Sequence, residues 1–341
     1  MVVKQEYKIA TLGSHSALQI LKGAQLEGFS TIAICLKGRE KPYELFGVAD
    51  KIITINSYDE FEDVQGELIE ENAILIPHAS FITYMGPRRI EKLNVPYFGN
   101  KKILKWESDR SLERSWLKRA GLKLPKIFKE AKDIDRPVIV KFHGADGGKG
   151  YFLAKNYKDF KEKIKLHPKS KKYVIQEYIL GVHMYAHYFH SILNNETELM
   201  GFDKRYESNV DSLGRISARD QMALPKERVD PSYVIVGNMP VVVRESFLPR
   251  YISMGERVVR ESRKIVPRGL FGPFCLETVL TPDEEIVCFE ISARIVAGTN
   301  PYINGSPYTW LRYNEAMSTG RRIAREIKLA IQQNRIKEVL D

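Results

Sequence analysis

The chain has 341 residues, enough for two or three packed units. Its 53 lysines and arginines against 43 aspartates and glutamates give a net charge of +10, which favours anionic partners such as nucleic acid, acidic membrane or phosphorylated small molecules. No apolar run reaches membrane-spanning length, no signal-peptide pattern precedes the first strand, and the basic residues are dispersed without an RRM-like or zinc-knuckle pattern, so a cytoplasmic nucleotide-handling enzyme fits better than a membrane or nucleic-acid binder.

Residues 1 to about 100 alternate strands with helices. Strands are expected at Tyr7–Leu12, Thr31–Leu36, Lys51–Ile55, Ala73–Pro77 and Val95–Phe98. Helical spacing marks Ser16–Glu27 and an acidic stretch at Tyr58–Glu71. This alternation argues a parallel sheet, whose ligands bind beyond the carboxyl ends of the strands. Two loops fall there. Gly13-Ser14-His15-Ser16 offers backbone donors and a helix N-terminus to an anion, with His15 as a candidate substrate contact, although Ser14 or Ser16 also suits a plain N-cap. His78-Ala79-Ser80-Phe81 reads as a second loop of binding or structural role. No G-x-G-x-x-G follows the first strand and no P-loop occurs, so a nucleotide site must lie further on.

From Ser108 the pattern changes. Ser111–Ala120 is a basic amphipathic helix stopped by Gly121. Pro137–Lys141 is a strand ending in lysine, followed by the Gly-rich turn Phe142–Gly150 and a returning strand, Tyr151–Ala154. Such a hairpin tip lets backbone N–H groups approach phosphates, with Lys141 and Lys149 adding charge. A charged helix follows at Tyr157–Leu166, then an apolar strand from Tyr173 to Gly181 whose backbone around Glu177–Ile179 suits an adenine edge. Leu248–Val266 and Thr319–Gln333 read as amphipathic helices packed on a sheet.

The stretch from Gly272 to Asn300 carries the strongest chemical signal. It reads as two β-rich runs around Thr-Pro-Asp-Glu, then a Gly-rich AGTN loop with backbone donors. A turn at Asp283–Glu284 places Glu277 opposite Glu290 on one face. Two facing carboxylates among apolar neighbours call for a compensating charge, and a divalent cation supplies it; a solvated surface hairpin is the plainer alternative. Arg294, four residues on, is placed to reach a phosphoryl oxygen. Cys35, Cys275 and Cys288 sit in apolar strand-like runs without C-x-x-C, which reads as structural burial in a reducing compartment.

The order V-I-V-K, Gly-rich loop, Q-E-Y-I-x-G and F-E-I-S-A-R resembles the ATP-grasp superfamily. Ser292 stands where many of its members carry asparagine in E-x-N-x-R. Whole stretches, among them ATLGSHSALQILKGA, VIVKFHGADGGKGYFLAK, DKRYESNVD, GNMPVVVRES and FEISARIVAGTN, are similar to the archaeal PurP family of formate-dependent 5-formaminoimidazole-4-carboxamide ribonucleotide synthetases. The resemblance covers essentially the whole chain.

It implies an α/β and α+β architecture: a parallel-sheet, preATP-grasp-like N-terminal domain (1–107), then a two-lobed ATP-grasp region (108–341) with a central lobe at about 122–185 and a C-terminal lobe at about 186–341. It implies an ATP-dependent carbon–nitrogen ligase that uses formate to convert AICAR to FAICAR through formyl phosphate, in purine biosynthesis. By motif, His15, Ser80 and Asn238 contact AICAR. Lys141, Gly144, Gly147, Gly148, Lys149, Gly150, Gln176, Glu177, Tyr178, Ile179 and Glu207 bind ATP. Glu277 and Glu290 hold Mg²⁺ or Mn²⁺, and Lys141 with Arg294 serves phosphoryl transfer. From the residues alone, Glu207 equally suits a salt bridge with Arg205 or Arg244, Asn238 a turn, and His187 a satisfied core position. The implied partners are the small molecules ATP, formate and AICAR, without nucleic acid or membrane, and a homo-oligomer is left open. The competing readings are an ATP-grasp ligase for another acid or amine, and a nucleotide-binding paralogue without turnover.

Overall fold

A computed structural model describes residues 7–142, 151–167, 172–207, 213–224 and 235–341. Its first layer is a parallel sheet of β1 (Lys8–Leu12), β2 (Ser30–Leu36), β3 (Lys51–Ile55) and β4 (Ala73–Leu75), in the order β3-β2-β1-β4. The near-continuous apolar runs of β1 and β2 suit strands covered on both faces. Helix Ala17–Leu26 makes the first crossover.

Three expectations change here. Val95–Phe98 is not a strand; it touches β4 through a single parallel bridge, Leu75–Tyr97. The chain's last residues take its remaining bonds: Asp341 N donates to Tyr97 O at 2.8 Å, and Phe98 bridges Leu340. The acidic stretch begins as a 3₁₀ turn, Tyr58–Val64, and becomes α-helical only over Gln65–Glu70. His78 to Phe81 is not a loop, because His78 caps the helix Ala79–Tyr84.

A second sheet is antiparallel: β5 (Ile127–Phe128), β6 (Val138–Phe142), β7 (Tyr151–Ala154) and β8 (Tyr173–Glu177), ordered β5-β8-β6-β7. The third, also antiparallel, contains β9 (Val182–Ser191), β10 (Glu196–Glu207), β11 (Ile235–Val241), β12 (Gly272–Leu280) and β13 (Ile286–Ser292), ordered β11-β10-β9-β12-β13. A parallel layer followed by two antiparallel sheets is the architecture the resemblance implied.

Period-two alternation gives the third sheet two different faces. Met184, Ala186 and Tyr188 of β9, Phe202 of β10 and Phe274 and Leu276 of β12 pack against Tyr251, Met254 and Val258 of helix Leu248–Ser262. Trp116 closes this core and donates its indole N–H to Val258 O at 3.0 Å. The alternate residues, including Tyr185, His187, Asp203, Arg205, Asn238 and Glu277, form a polar face.

Helix Thr319–Gln332 packs on this sheet through Ile323, Ala324 and Ile327, near Phe189 and Met200. It also crosses helix Ala17–Leu26 of the parallel layer. A Cβ on Gly23 would lie 2.2 Å from Arg321 N, and one on Gly320 would lie 2.2 Å from Gln19 O. The backbones therefore meet only because both residues are glycines. Gly320→Ala must push the helices apart, at a cost of roughly 1–3 kcal/mol from overpacking. A drop in Tm, with an accompanying rise in substrate KM, is the expected readout, since this crossing sets the Ser14–Ser16 loop against the AGTN segment.

Candidate functional site

Glu277 of β12 pairs with Glu290 of β13, as the hairpin pattern predicts, but by a different route. The connection is one residue longer than a two-residue turn: Leu280 faces Ile286, and Glu284 takes φ 60°. A bulge then leaves Phe289 as the extra residue on β13 and brings Glu277 opposite Glu290.

The polar face continues as a row across the sheet. Glu277 faces Tyr185, which faces Asp203. Arg205, two residues beyond Asp203, reaches over the Tyr185 ring at 3.7 Å and forks onto Glu277, with Nη1 at 3.0 Å and Nη2 at 2.7 Å from its two oxygens. Burial opposes the arginine's charge, but the Glu277 carboxylate overcomes this and holds Arg205 above its ordinary pKa. Ser292 Oγ lies 3.5 Å from Glu277 Oε1. Glu290 is half-buried, and no described side chain donates a hydrogen bond to it. Burial and then the Glu277 charge push its carboxyl upward, while Lys141 and Arg110 pull against them.

Two further carboxylates hold β13 from the helix side. Glu113 accepts from Ile291 N at 2.7 Å, and Glu107 accepts from Ala293 N at 2.9 Å. Burial raises both carboxyls. Glu107 also takes Arg294, Nη2 to Oε1 at 3.1 Å. Arg294 is thus held by Glu107 and lines a cavity of about 10 Å³ with Tyr97, rather than extending freely as its position after the strand suggested. The sequence reading missed Glu107, Glu113 and Arg205. A signal existed for Glu113, which shares the buried stripe of its helix with Trp116 and Leu117.

Between helix Arg110–Arg119, the second sheet and β13 lies a cavity of about 200 Å³, lined by Arg110, Glu113, Lys141, Gln176, Cys288 and Phe289 among others. Lys141 sits over the Phe289 ring at 5.6 Å, and burial lowers its pKa against the opposing pull of Glu290. Gln176 faces this cavity, whereas the Glu177 side chain is engaged elsewhere. Its carboxylate accepts from Lys126 N and Arg136, both at 2.9 Å. Its own N–H donates to Lys126 O, and Tyr178 N donates to Pro137 O. Those two N–H groups are therefore engaged within the sheet; Ile179 follows them beyond the end of β8. Gly144, Gly147, Gly148, Lys149 and Gly150 lie outside the described residues. Glu207 ends β10 opposite Ile235, and its side chain likewise lies outside the description. Arg205 and Arg244, its alternative partners, pair with Glu277 and Glu284. Among the described residues, no group of three or more His, Cys, Asp or Glu side chains forms a metal cage by itself.

The third cluster lies at the ends of β1 and β4. Ser14 and Ser80 share a 2.6 Å hydrogen bond. Ser16 makes no N-cap bond; its hydroxyl pairs with His15 Nδ1 at 2.7 Å. His15 adopts φ 55° and stacks on His78 at 5.3 Å. Its side chain is solvent-accessible. Desolvation, then His78, Arg294 and Arg205, lowers its pKa well below the ordinary value. The AGTN segment braces this loop through side chains: Asn300 Nδ2 donates to His15 O at 3.0 Å, and Gln19 donates to Thr299 and Asn300. Asn238 Nδ2 donates to Asp203 Oδ2 at 2.7 Å, and Asp203 Oδ1 meets His187 Nε2 at 2.8 Å. His187 is a buried, partnered residue. Gly298 packs on the same aspartate, where a Cβ would lie 2.2 Å from Oδ1.

His78 must be neutral to do its work. Its Nε2 donates to Leu12 O at 2.9 Å, while Nδ1 accepts from Ser80 N at 3.2 Å. Burial brings its pKa down to about 4 from an ordinary 6.5. Between those values the unfolded chain binds more protons than the folded one, so stability falls as pH drops through this window. The full contribution is about 3 kcal/mol. Urea midpoints should decline from pH 7 to pH 4.5, and His78→Gln should flatten that slope.

Comparison with known proteins identifies the arrangement. Residues 153–341 match a family described as "Domain of unknown function (DUF1297)", and residues 9–128 match "Protein of unknown function (DUF1246)". The curated 5-formaminoimidazole-4-carboxamide-1-(beta)-D-ribofuranosyl 5'-monophosphate synthetase of Pyrococcus abyssi is 54% identical, over 99% of this chain and 100% of the relative. That of Methanothermobacter thermautotrophicus is 48% identical, over 99% and 95%. The crystal structure of an IMP biosynthesis protein PurP from Thermococcus kodakaraensis superposes with a TM-score of 0.79 at 30% identity, covering 98% of this chain and all of that one. The ADP complex of purK, N5-carboxyaminoimidazole ribonucleotide synthetase, shares the fold at a TM-score of 0.68 and 15% identity, over 96% of this chain and 78% of its own. With near-complete coverage at about half identity, the chain belongs to the family of 5-formaminoimidazole-4-carboxamide ribonucleotide synthetases.

Proposed function

We propose that the protein is an ATP-dependent ligase of purine biosynthesis that joins formate to the amine of AICAR, giving FAICAR, ADP and phosphate. The observation that carries the reading is end-to-end identity of 54% with a named synthetase of this activity. Formate is inert toward an amine until phosphorylated, so the reaction passes through formyl phosphate. Phosphoryl transfer asks a protein chiefly for positioning and neutralisation of charge.

The residues divide accordingly. Lys141, Gln176, Glu177, Tyr178, Ile179 and Glu207 bind ATP at the 200 Å³ cavity, together with Gly144, Gly147, Gly148, Lys149 and Gly150 for its phosphates. Glu277 and Glu290, facing each other on β12 and β13, fit a hard divalent cation that takes carboxylate and phosphate oxygens. Mg²⁺ or Mn²⁺ held there supplies charge neutralisation to the phosphates. Lys141 and Arg294 add positive charge for the transferred phosphoryl group, Arg294 after leaving Glu107. His15, Ser80 and Asn238 hold AICAR from the two sides of the cleft. His15 does so as a neutral imidazole, consistent with its depressed pKa.

The natural division is an AICAR-binding unit at 1–107 and an ATP-grasp region at 108–341, with lobes at about 122–185 and 186–341. Among the described residues no helix is long and apolar enough to cross a membrane, and small-molecule partners in the cytoplasm suit the reading. The test is ADP release with Mg²⁺ and ATP, omitting formate and AICAR in turn, with mass detection of the product. ADP should form only with both substrates, alongside a product heavier by one formyl group. ATP binding without turnover overturns the reading.

A further inference from the structure

Both oxygens of Glu277 are taken by one guanidinium. A carboxylate so forked has both of its inward-facing lone pairs engaged and its charge offset, so a cation meets a weakened site until the fork opens. The arginine that holds it is not local to the hairpin. It starts on β10, crosses β9, and lies on the Tyr185 ring, a platform along which a guanidinium slides without losing its π contact. It neutralises one of two facing carboxylates, while the other, Glu290, looks toward Lys141.

We propose that Arg205 is the built-in stand-in for the cation: it occupies Glu277 while the cleft is empty, gives the carboxylate up when the divalent cation arrives with nucleotide, and turns its freed guanidinium toward the phosphate-bearing ligands in the cleft. The proposal rests on the reading of Glu277 and Glu290 as the cation carboxylates. One charge of +1 leaves Glu277 as a charge of +2 enters between Glu277 and Glu290, so the facing pair is never left without compensation. The exchange makes cation binding conditional: without nucleotide phosphates the cation must displace a bidentate ion pair unaided. A permanently structural ion pair makes the opposite prediction, because removing Arg205 would then weaken the site.

The experiment is Mn²⁺ binding, read by electron paramagnetic resonance of the free ion, with and without ADP. Without nucleotide, Arg205→Gln should bind Mn²⁺ at least roughly tenfold more tightly than the parent. Adding Mn²⁺ should then raise the Tm of Arg205→Gln and leave that of the parent unchanged. Arg205→Lys, which keeps charge but not the fork, should bind more tightly than the parent and more weakly than Arg205→Gln; it carries the test if Arg205→Gln does not fold. The gain should vanish in Arg205→Gln combined with Glu290→Gln. If neither folded single variant binds more tightly than the parent without nucleotide, the stand-in role is overturned. If the parent with ADP binds Mn²⁺ equally well when Glu290 is replaced by Gln, the carboxylate pair itself is the wrong site, a separate failure that overturns both readings.

Discussion

Glu290→Gln is expected to lower kcat by about 10³-fold without lowering thermal stability. The two halves of this result have one cause. Glu290 lies opposite Glu277 in a partly desolvated row, and burial followed by the Glu277 charge pushes its carboxyl up. An acid whose folded pKa lies above its unfolded value opposes folding once pH exceeds the unfolded value. That penalty is relieved only as pH falls through the folded value. An amide of the same shape removes the charge and so removes the penalty. It also removes one of the two carboxylate charges that, in the proposed reading, hold the divalent cation against the phosphates. ADP release under saturating formate and AICAR checks the first half, and a Tm at pH 7.5 at or above the parent's checks the second. Loss of activity together with a fall in Tm would instead point to a folding defect. The sign is opposite to that for His78, whose stabilising effect disappears on acidification.

Arg322→Met is expected to cost about 3–5 kcal/mol of stability, the largest effect away from the cleft. Arg322 is 2% exposed. Its Nη2 reaches Glu198 at 2.9 Å and its Nη1 reaches Glu326 at 2.9 Å, with the guanidinium over Phe189. Ser191 donates to the same Glu326 at 2.8 Å, and Tyr313 donates to Glu198. The network ties β9 and β10 to the helices Pro307–Tyr313 and Thr319–Gln332. Removing the guanidinium leaves two buried carboxylates with mostly neutral donors and without the cation they share. Urea unfolding at unchanged m-value should show a lower midpoint. The same helix carries Gly320, so this variant should also weaken the docking of the parallel layer. A midpoint equal to the parent's would mean that the two carboxyls are held by other groups.

The features legible in the sequence are those that local geometry imposes. The alternation of strands with helices marked the parallel layer, and the near-continuous apolar runs Lys8–Leu12 and Ser30–Leu36 fit strands covered on both faces. Turn residues and period-two spacing brought Glu277 opposite Glu290, although a longer turn and the Phe289 bulge together produce that pairing. Lys141 at the end of its strand was readable for the same reason. Nothing local marks the fork of Arg205 on Glu277, the capture of Arg294 by Glu107, or the seat of Tyr97 against the final residue, Asp341. Nor does any local pattern announce that Gly23 and Gly320 meet. Such contacts join residues far apart in the chain, and no backbone period constrains both partners at once. The sequence by itself determined most of the strands of the parallel layer and which carboxylates share a face. Only the tertiary structure decided which charges those carboxylates meet, because an ion pair between distant strands is selected by the packing of whole sheets and helices.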